Sequence, residues 1–317
     1  MITVLKYEKD KVEKGDLSIV CYPKTFSWVD VFEPTKEELD RISTITNIPI
    51  NDLKITLDGE ERPKVVELEG PFSLIIFGAP SFEMDKITTT PIFIYISKYH
   101  NCVITIRNKD TKSISKIKES VEAKKNFFEK GSSYFVYRLI DEILNTYFNV
   151  LEDVDDRIEQ IEDSVMKSPD IKSAQKIFQT KKTLIYFSKT MAANREVITS
   201  IEKEYLSEID KKMAREFRTL YNDAIQLVDM SSTYRDILTG TLDTYLSATS
   251  NNLNQVMKTL TVAASFVLIP TLIASVYGMN FQWMPELYWK YGYFFALGLM
   301  AFSIFVMWVY FRRKKWI

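Results

Sequence analysis

Three aspartates recur seven residues apart, Asp229, Asp236 and Asp243. The series continues in alternating steps of four and three through Gly240, Ser247, Ser250, Asn254, Met257, Thr261, Ala264, Leu268, Thr271 and Ser275. A mean step of about 3.5 residues holds side chains on one face of a helix that supercoils with partners. The face is small or polar along most of its length. Its donors are carboxylate, amide and hydroxyl oxygens, the set that suits hard divalent cations. Carboxylates ringed inside a helical bundle repel one another until cations sit between them.

The residue inventory excludes several other chemistries. One histidine, His100, and two cysteines, Cys21 and Cys102, are too few for a Cys/His zinc site, a Cys-His nucleophile pair or a histidine triad within one chain. His100 falls in a turn between two strand-like runs and is assigned a surface or packing role. The nine glycines form neither GxGxxG nor GxxxxGKS/T, so the usual phosphate-cradling loops are absent. The chain is therefore not read as an enzyme, and no nucleic acid partner is expected.

The elements that must position the stripe are unevenly charged. One acid, Glu286, and five bases follow Lys258, leaving 41 acids and 36 bases in residues 1–258. Residues 259–277 contain no charge, with Pro270 inside, and residues 291–311 contain none over 21 positions, enough to span about 30 Å as a helix. Both are read as transmembrane helices. The bases Arg312, Arg313, Lys314 and Lys315 abut the second span, and cytoplasmic flanks carry the excess of Lys and Arg. Two spans return the chain to its starting side, so both termini are expected in the cytoplasm of a multi-pass protein of the cell membrane. Residues 278–290 form the external connection, with Trp283, Tyr288 and Trp289 suited to headgroup level. The N-terminus has no signal-peptide pattern, and the thiols suit a reducing compartment.

The fold class expected is an α+β/α membrane protein. Residues 1–130 read as a cytoplasmic α/β domain with strands at 17–22, 27–32, 64–68, 72–78, 91–97 and 102–107. A capping box at Thr35 and Glu38 opens a helix through Thr46, and another helix is placed at 110–129. Residues 131–207 read as long antiparallel helices. In the first of them Val136, Leu139, Ile140, Ile143, Tyr147, Val150, Leu151, Val154, Ile158, Ile161 and Val165 form one apolar face. Residues 208–258 are the cytoplasmic part of a stalk helix that runs into the first span, and 312–317 form a basic tail. The acidic segment 152–163, seven acids with Arg157, is a solvated face or a cation-attracting surface.

Two arrangements accommodate a small and polar face inside a bilayer. It packs against a partner helix, which Ala264, Ser275 and Gly240 suit, or several copies surround an aqueous pore. Two spans cannot enclose a pore alone, so the second arrangement requires a homo-oligomer.

Beyond the stripe stand Tyr277-Gly278-Met279-Asn280-Phe281, Met284-Pro285-Glu286-Leu287 and the basic end Arg312 to Trp316. This resembles the signature of CorA-type magnesium channels. The likeness extends through Glu61-Arg62-Pro63-Lys64-Val65, Tyr234-Arg235-Asp236-Ile237 and residues 250–257. It implies a homopentamer with a funnel of long helices, Mg²⁺ as both transported and regulatory ion, and influx driven by the membrane potential and gated by intracellular Mg²⁺. Gly278, Met279, Asn280 and Glu286 would form the ion entrance, with Gly278 allowing a tight turn. Asn254, Met257, Leu260, Thr261, Ala264, Leu268, Thr271 and Ser275 would line the pore, with Met257 and Leu268 as gates. Asp229, Asp236 and Asp243 would be pore carboxylates. Arg312, Arg313, Lys314 and Lys315 would form a basic collar at the inner mouth. The family's regulatory acids would fall at Asp85 and Asp223, with Thr219 replacing an expected aspartate. Gln282 stands where relatives often carry an acid. The alternative on the same architecture is a Co²⁺, Ni²⁺ or Zn²⁺ transporter, and a third class is a membrane-tethered sensor that conducts nothing.

Overall fold

The computed structural model describes residues 1–8, 11–15, 17, 26–59, 61–83, 86–123, 129–282 and 284–317. The strands are β1 (Ile2–Glu8), β2 (Lys11–Gly15), β3 (Ser27–Phe32), β4 (Lys64–Glu67), β5 (Phe72–Glu83), β6 (Lys86–Ser97) and β7 (Cys102–Arg107). The helices are α1 (Lys36–Thr46), α2 (Ile50–Lys54), α3 (Lys112–Ala123), α4 (Gly131–Lys167), α5 (Ile171–Glu202), α6 (Lys211–Tyr277) and α7 (Gly292–Arg313). The chain divides into two units, residues 1–164 with 170–242, and residues 165–169 with 243–317.

The first unit is built on a seven-stranded sheet of order β2-β1-β3-β7-β6-β5-β4. Only β3 and β7 pair in parallel; the other pairings are antiparallel. Two antiparallel meanders thus meet along one parallel seam. Alternation along the strands sorts the residues into two faces. Val29, Val31, Ile104 and Ile106 join Leu39, Ile42 and Leu53 of α1 and α2 in one core. On the opposite face Trp28 lies 4.9 Å from the ring of Phe135 in α4.

That second face also buries a charged network. Asp30 accepts from Thr105 at 2.9 Å, and is bound by Arg107 at 3.2 Å and Lys118 at 2.7 Å. Trp28 donates to Thr105 at 3.0 Å. Two cations and a hydroxyl compensate one carboxylate, which is what a buried charge requires.

Local signals act as the sequence implies. Thr35 accepts the Glu38 N–H, Glu38 accepts the Thr35 N–H, and the latter bond holds the Glu38 carboxyl below its usual range. His100 lies in the turn between β6 and β7, its N–H donating to Ser97 Oγ. All eleven apolar positions expected on one face of α4 are buried. Strands β1 and β2 were not expected. The second, with Lys11, Glu13 and Lys14, lies at the sheet edge, where charge blunts aggregation and conceals the strand pattern. The strand expected at 17–22 and Cys21 fall largely outside the described residues.

Strand β5 outruns its neighbour β4, whose pairing with it ends at Ile76. The exposed ladder positions are covered by a side chain. Asn194 of α5 accepts from the Gly78 N–H at 2.8 Å and donates to the Gly78 carbonyl at 2.9 Å, and Tyr147 of α4 donates to the same carbonyl at 3.2 Å. The amide of Asn194 replaces a missing strand residue. Gly78 itself permits the approach, since a Cβ there would lie 2.2 Å from Thr190 Cγ2.

Asn194→Ala leaves a buried N–H and a partly satisfied carbonyl, a loss of about 2–4 kcal/mol. Gly78→Ala overpacks the same contact at a cost of about 1–3 kcal/mol. Thermal unfolding of the two variants should show lowered midpoints for the sheet-bearing unit. Unchanged midpoints would remove the clamp from the account of stability.

Candidate functional site

Helix α6 is continuous from Lys211 to Tyr277 and passes through Pro270, where Phe266 loses its usual N–H partner. In its first part the burial is one-sided. Ala214, Phe217, Leu220, Ala224, Leu227, Ser231, Leu238 and Thr241 are buried. At about 100° per residue, Leu227, Ser231, Leu238 and Thr241 lie opposite Asp229, Asp236 and Gly240. The aspartates are exposed, and so is every other member of the stripe through Ser275.

Contacts with α4 show what fixes this orientation. Glu162 accepts from Thr241 at 3.1 Å, and Asp155 interacts with the Tyr234 hydroxyl, whose burial pushes its ionisation upward. Two of the seven acids of segment 152–163 therefore bind α6 and are not simply solvated.

In the second unit α6 receives little cover from its own chain. Val262 is its one buried residue there, and Phe266 meets Phe311 of α7 at 6.0 Å. Met257 is 59% exposed and Leu268 69% exposed, and Leu260 is likewise uncovered. Both α6 and α7 carry segments long and apolar enough to cross a bilayer. Asn254, Thr261, Ala264, Thr271 and Ser275 thus share an uncovered side of a membrane helix.

The two threonine hydroxyls on that side are not free donors. Thr261 donates to the Met257 carbonyl and Thr271 to the Val267 carbonyl, each at 2.7 Å. With the proton turned back to the backbone, each oxygen presents lone pairs outward. Acceptors in this orientation match the outward-pointing hydrogens of a hydrated cation.

The end of α6 is closed by short bonds. The Gly278 N–H donates to the carbonyls of Ala274 and Ser275, at 2.9 and 3.2 Å, and Met279 donates to Val276 at 3.3 Å. Gly278 does not use the left-handed region expected of a tight turn. Space is its contribution instead, because a Cβ would stand 3.3 Å from the Ala274 carbonyl. Asn280 is exposed, and its amide has no hydrogen-bond partner among the described residues.

Glu286 belongs to a 3₁₀ turn, Pro285–Tyr288, and its carbonyl accepts from Trp289. Gly292, which sequence reasoning passed over, seats this turn on α7. A Cβ at 292 would lie 2.1 Å from the Glu286 carbonyl oxygen. Its position two residues after Lys290, at the start of the uncharged run, gave no pattern from which the contact could be read. Tyr288 and Trp289 are exposed, while Trp283 lies outside the described residues.

The basic tail has a defined conformation. Lys315 takes a positive φ of 56°, its N–H donates to Arg312 at 3.1 Å, and the Trp316 N–H donates to Phe311 at 3.0 Å. This is a Schellman cap, completed by stacking of Trp316 on Phe311 at 5.8 Å. Trp316 also borders a cavity of about 360 Å³ with Asn254, Met257, Lys258 and Thr261. The cap therefore brings the tail beside Asn254, Met257 and Thr261 of the stripe, while Arg312, Arg313, Lys314 and Lys315 stay exposed.

Asp223 is half-buried, and burial raises its carboxyl above the usual range. Burial likewise raises the carboxyl of Asp141 in α4; Arg138 partly offsets this, and the charges of Glu142 and Asp223 add to it. Asp85 lies outside the described residues, so the structure does not bring it together with Asp223. Among the described residues no group of three His, Cys, Asp or Glu side chains forms a metal cage within one chain.

The family model described as CorA-like Mg²⁺ transporter protein matches residues 23–313. The chain is 36% identical to the cobalt/magnesium transport protein CorA of Methanocaldococcus jannaschii, with all of both chains covered. It is 33% identical to the cobalt/magnesium transport protein CorA of Thermotoga maritima, over 92% of this chain and 84% of that one. The complete structure of the CorA magnesium transporter from Methanocaldococcus jannaschii superposes with a TM-score of 0.89, at 33% identity, covering 100% of this chain and 99% of the other. A shared architecture along its full length, two apolar helices at its end and these sequence identities together place the chain in the CorA-like Mg²⁺ transporter family.

Proposed function

We propose that the chain is one subunit of a homopentameric channel of the cell membrane that admits Mg²⁺ down the membrane potential, with both termini in the cytoplasm. The observation that carries this is the uncovered side of α6. It is lined with oxygen donors and continues through an apolar span to Gly278-Met279-Asn280. A single chain leaves that side without a partner, and copies arranged around an axis would turn it toward water.

Mg²⁺ sheds its waters reluctantly, so the capture site holds the hydrated ion. The free amide of Asn280 accepts from those waters, and Glu286 adds negative charge nearby. Neutral oxygens bind weakly enough to release the ion onward. The back-bonded hydroxyls of Thr261 and Thr271 offer the next acceptors, with Ala264 and Ser275 keeping the passage wide. Met257 and Leu268 close it by dewetting when the rings draw together, and Leu260 packs beside them. Asn254 marks the inner mouth, below which Asp229, Asp236 and Asp243 concentrate cations. For a divalent ion, 100 mV supplies about 4.6 kcal/mol of drive. The tail bases oppose that flow as a positive collar.

Regulation is assigned to acids of the cytoplasmic unit, Asp223 with Asp85. The raised Asp223 carboxyl supports this, because a buried anion without a full cation complement gains stability when Mg²⁺ arrives.

Liposomes containing the protein, held at an inside-negative potential, should take up Mg²⁺, and Asn280→Ala should cut that uptake at least tenfold. Uptake unaffected by the substitution would place the capture site elsewhere. Zn²⁺ flux without Mg²⁺ flux would reject the ion assignment.

Because folding raises the Asp223 pKa, its ionisation costs stability above the ordinary carboxylate range near 3.9, and the cost is complete above the raised value. Asp223→Asn should raise the midpoint of thermal unfolding by about 1–2 °C at pH 7, the group being still partly solvated, and the gain should vanish below about pH 4. The same variant should weaken inhibition of the current by internal Mg²⁺. Inhibition at the wild-type Mg²⁺ concentration would exclude Asp223 from the regulatory site.

A further inference from the structure

A cavity of about 580 Å³ opens between the start of β6 and the facing sides of α4 and α5. Its volume lies within the range of small-molecule sites. Arg157 of α4 and Lys176 and Lys182 of α5 line it, and no carboxylate does. None of these three cations is within ion-pair distance of an acid among the described residues. Elsewhere in the same unit Arg107, Lys116, Lys118 and Arg138 each bind a carboxylate.

Residues 1–258 carry five more acids than bases, so an all-basic cavity is a local reversal of sign. Three cations around one concavity repel one another and favour an anion; the charge of Asp170 reaches Lys176 but lies outside the cavity lining. A carboxylate would carry one charge, whereas a phosphate or diphosphate carries two or three. Arg157 supplies a planar fork for phosphate oxygens, and the two lysines supply point charges. The amides of Gln160 and Gln179 add neutral donors and acceptors.

The rest of the cavity is apolar. Ile87, Val154 and Ile161, all buried, form its floor. Tyr186, an exposed residue, lines it, and Lys182 Nζ stands over the ring at 5.9 Å from its centroid. An exposed aromatic face beside a cationic wall suits a planar group joined to phosphates.

We propose that this cavity binds an organic phosphate with a planar ring, of the nucleotide class, through Arg157, Lys176 and Lys182 at the phosphates and Tyr186 at the ring. The site shares no residue with the stripe of α6, and it does not depend on which ion that stripe conducts.

The test is calorimetric titration of ADP into the full-length protein in detergent, with a metal chelator present so that no cation contributes. ADP should bind once per chain with a dissociation constant below about 1 mM. The paired substitution Arg157→Glu with Lys182→Glu, both at exposed positions, should weaken it at least tenfold, while Lys182→Arg should bind as the wild type does. Tyr186→Ala should reduce ADP to the affinity of inorganic pyrophosphate. Absence of ADP binding, or binding unchanged by the paired substitution in protein of native circular dichroism, would overturn the site. ADP bound no more tightly than pyrophosphate by the wild type would overturn the assignment of Tyr186 and the planar ligand.

Discussion

A helix inside hydrocarbon must satisfy every polar group on its surface, and α6 carries oxygens along a face that its own chain leaves uncovered. That constraint governs the rest of the molecule. A soluble helix would turn Asn254, Thr261, Thr271 and Ser275 to water and lose nothing. A membrane helix has only neighbouring helices or an enclosed water column, and α7 covers little more than Val262 and Phe266.

The threonines reduce this demand without removing it. Their protons return to carbonyls four residues earlier, so neither threonine hydroxyl faces outward as an unsatisfied donor. What remains outward is acceptor capacity, which binds water or the hydrogens of a hydrated cation and binds them weakly. A stronger donor set would hold the ion too long for passage, and a purely apolar face would exclude it. In the pore proposed above, Met257 and Leu268 would introduce that exclusion at single levels, among oxygens that favour hydration.

In the sheet-bearing unit the same helix is held by burial on its opposite side. Phe217, Leu220, Leu227 and Leu238 face the core, and Tyr234 and Thr241 engage acids of α4. The long helices are in turn tied to the sheet, most directly where Asn194 and Tyr147 take the place of a strand beside Gly78. Rotation of this part of α6 is therefore limited by packing and hydrogen bonds within the sheet-bearing unit. A face that must point in one direction over many turns needs that kind of restraint, since an error of one residue turns it by about 100°.

Periodicity in the sequence determined the long helices, the apolar face of α4 and the stripe of α6, because a 3.5-residue repeat maps onto one side of a helix whatever surrounds it. Strong local chemistry determined the Thr35-Glu38 cap and the strands β3 and β7, and two uncharged runs determined the membrane segments. The edge strands β1 and β2 were concealed by their charges, and the single parallel seam joins residues some 75 positions apart that no local pattern connects. Gly292 beneath the Glu286 carbonyl, Gly78 against Thr190 and the tail folded by a positive φ at Lys315 were likewise decided by tertiary structure. Each depends on how closely two backbones or side chains approach. Residue type records what a position can bind, and only the packed chain decides what stands within reach of it.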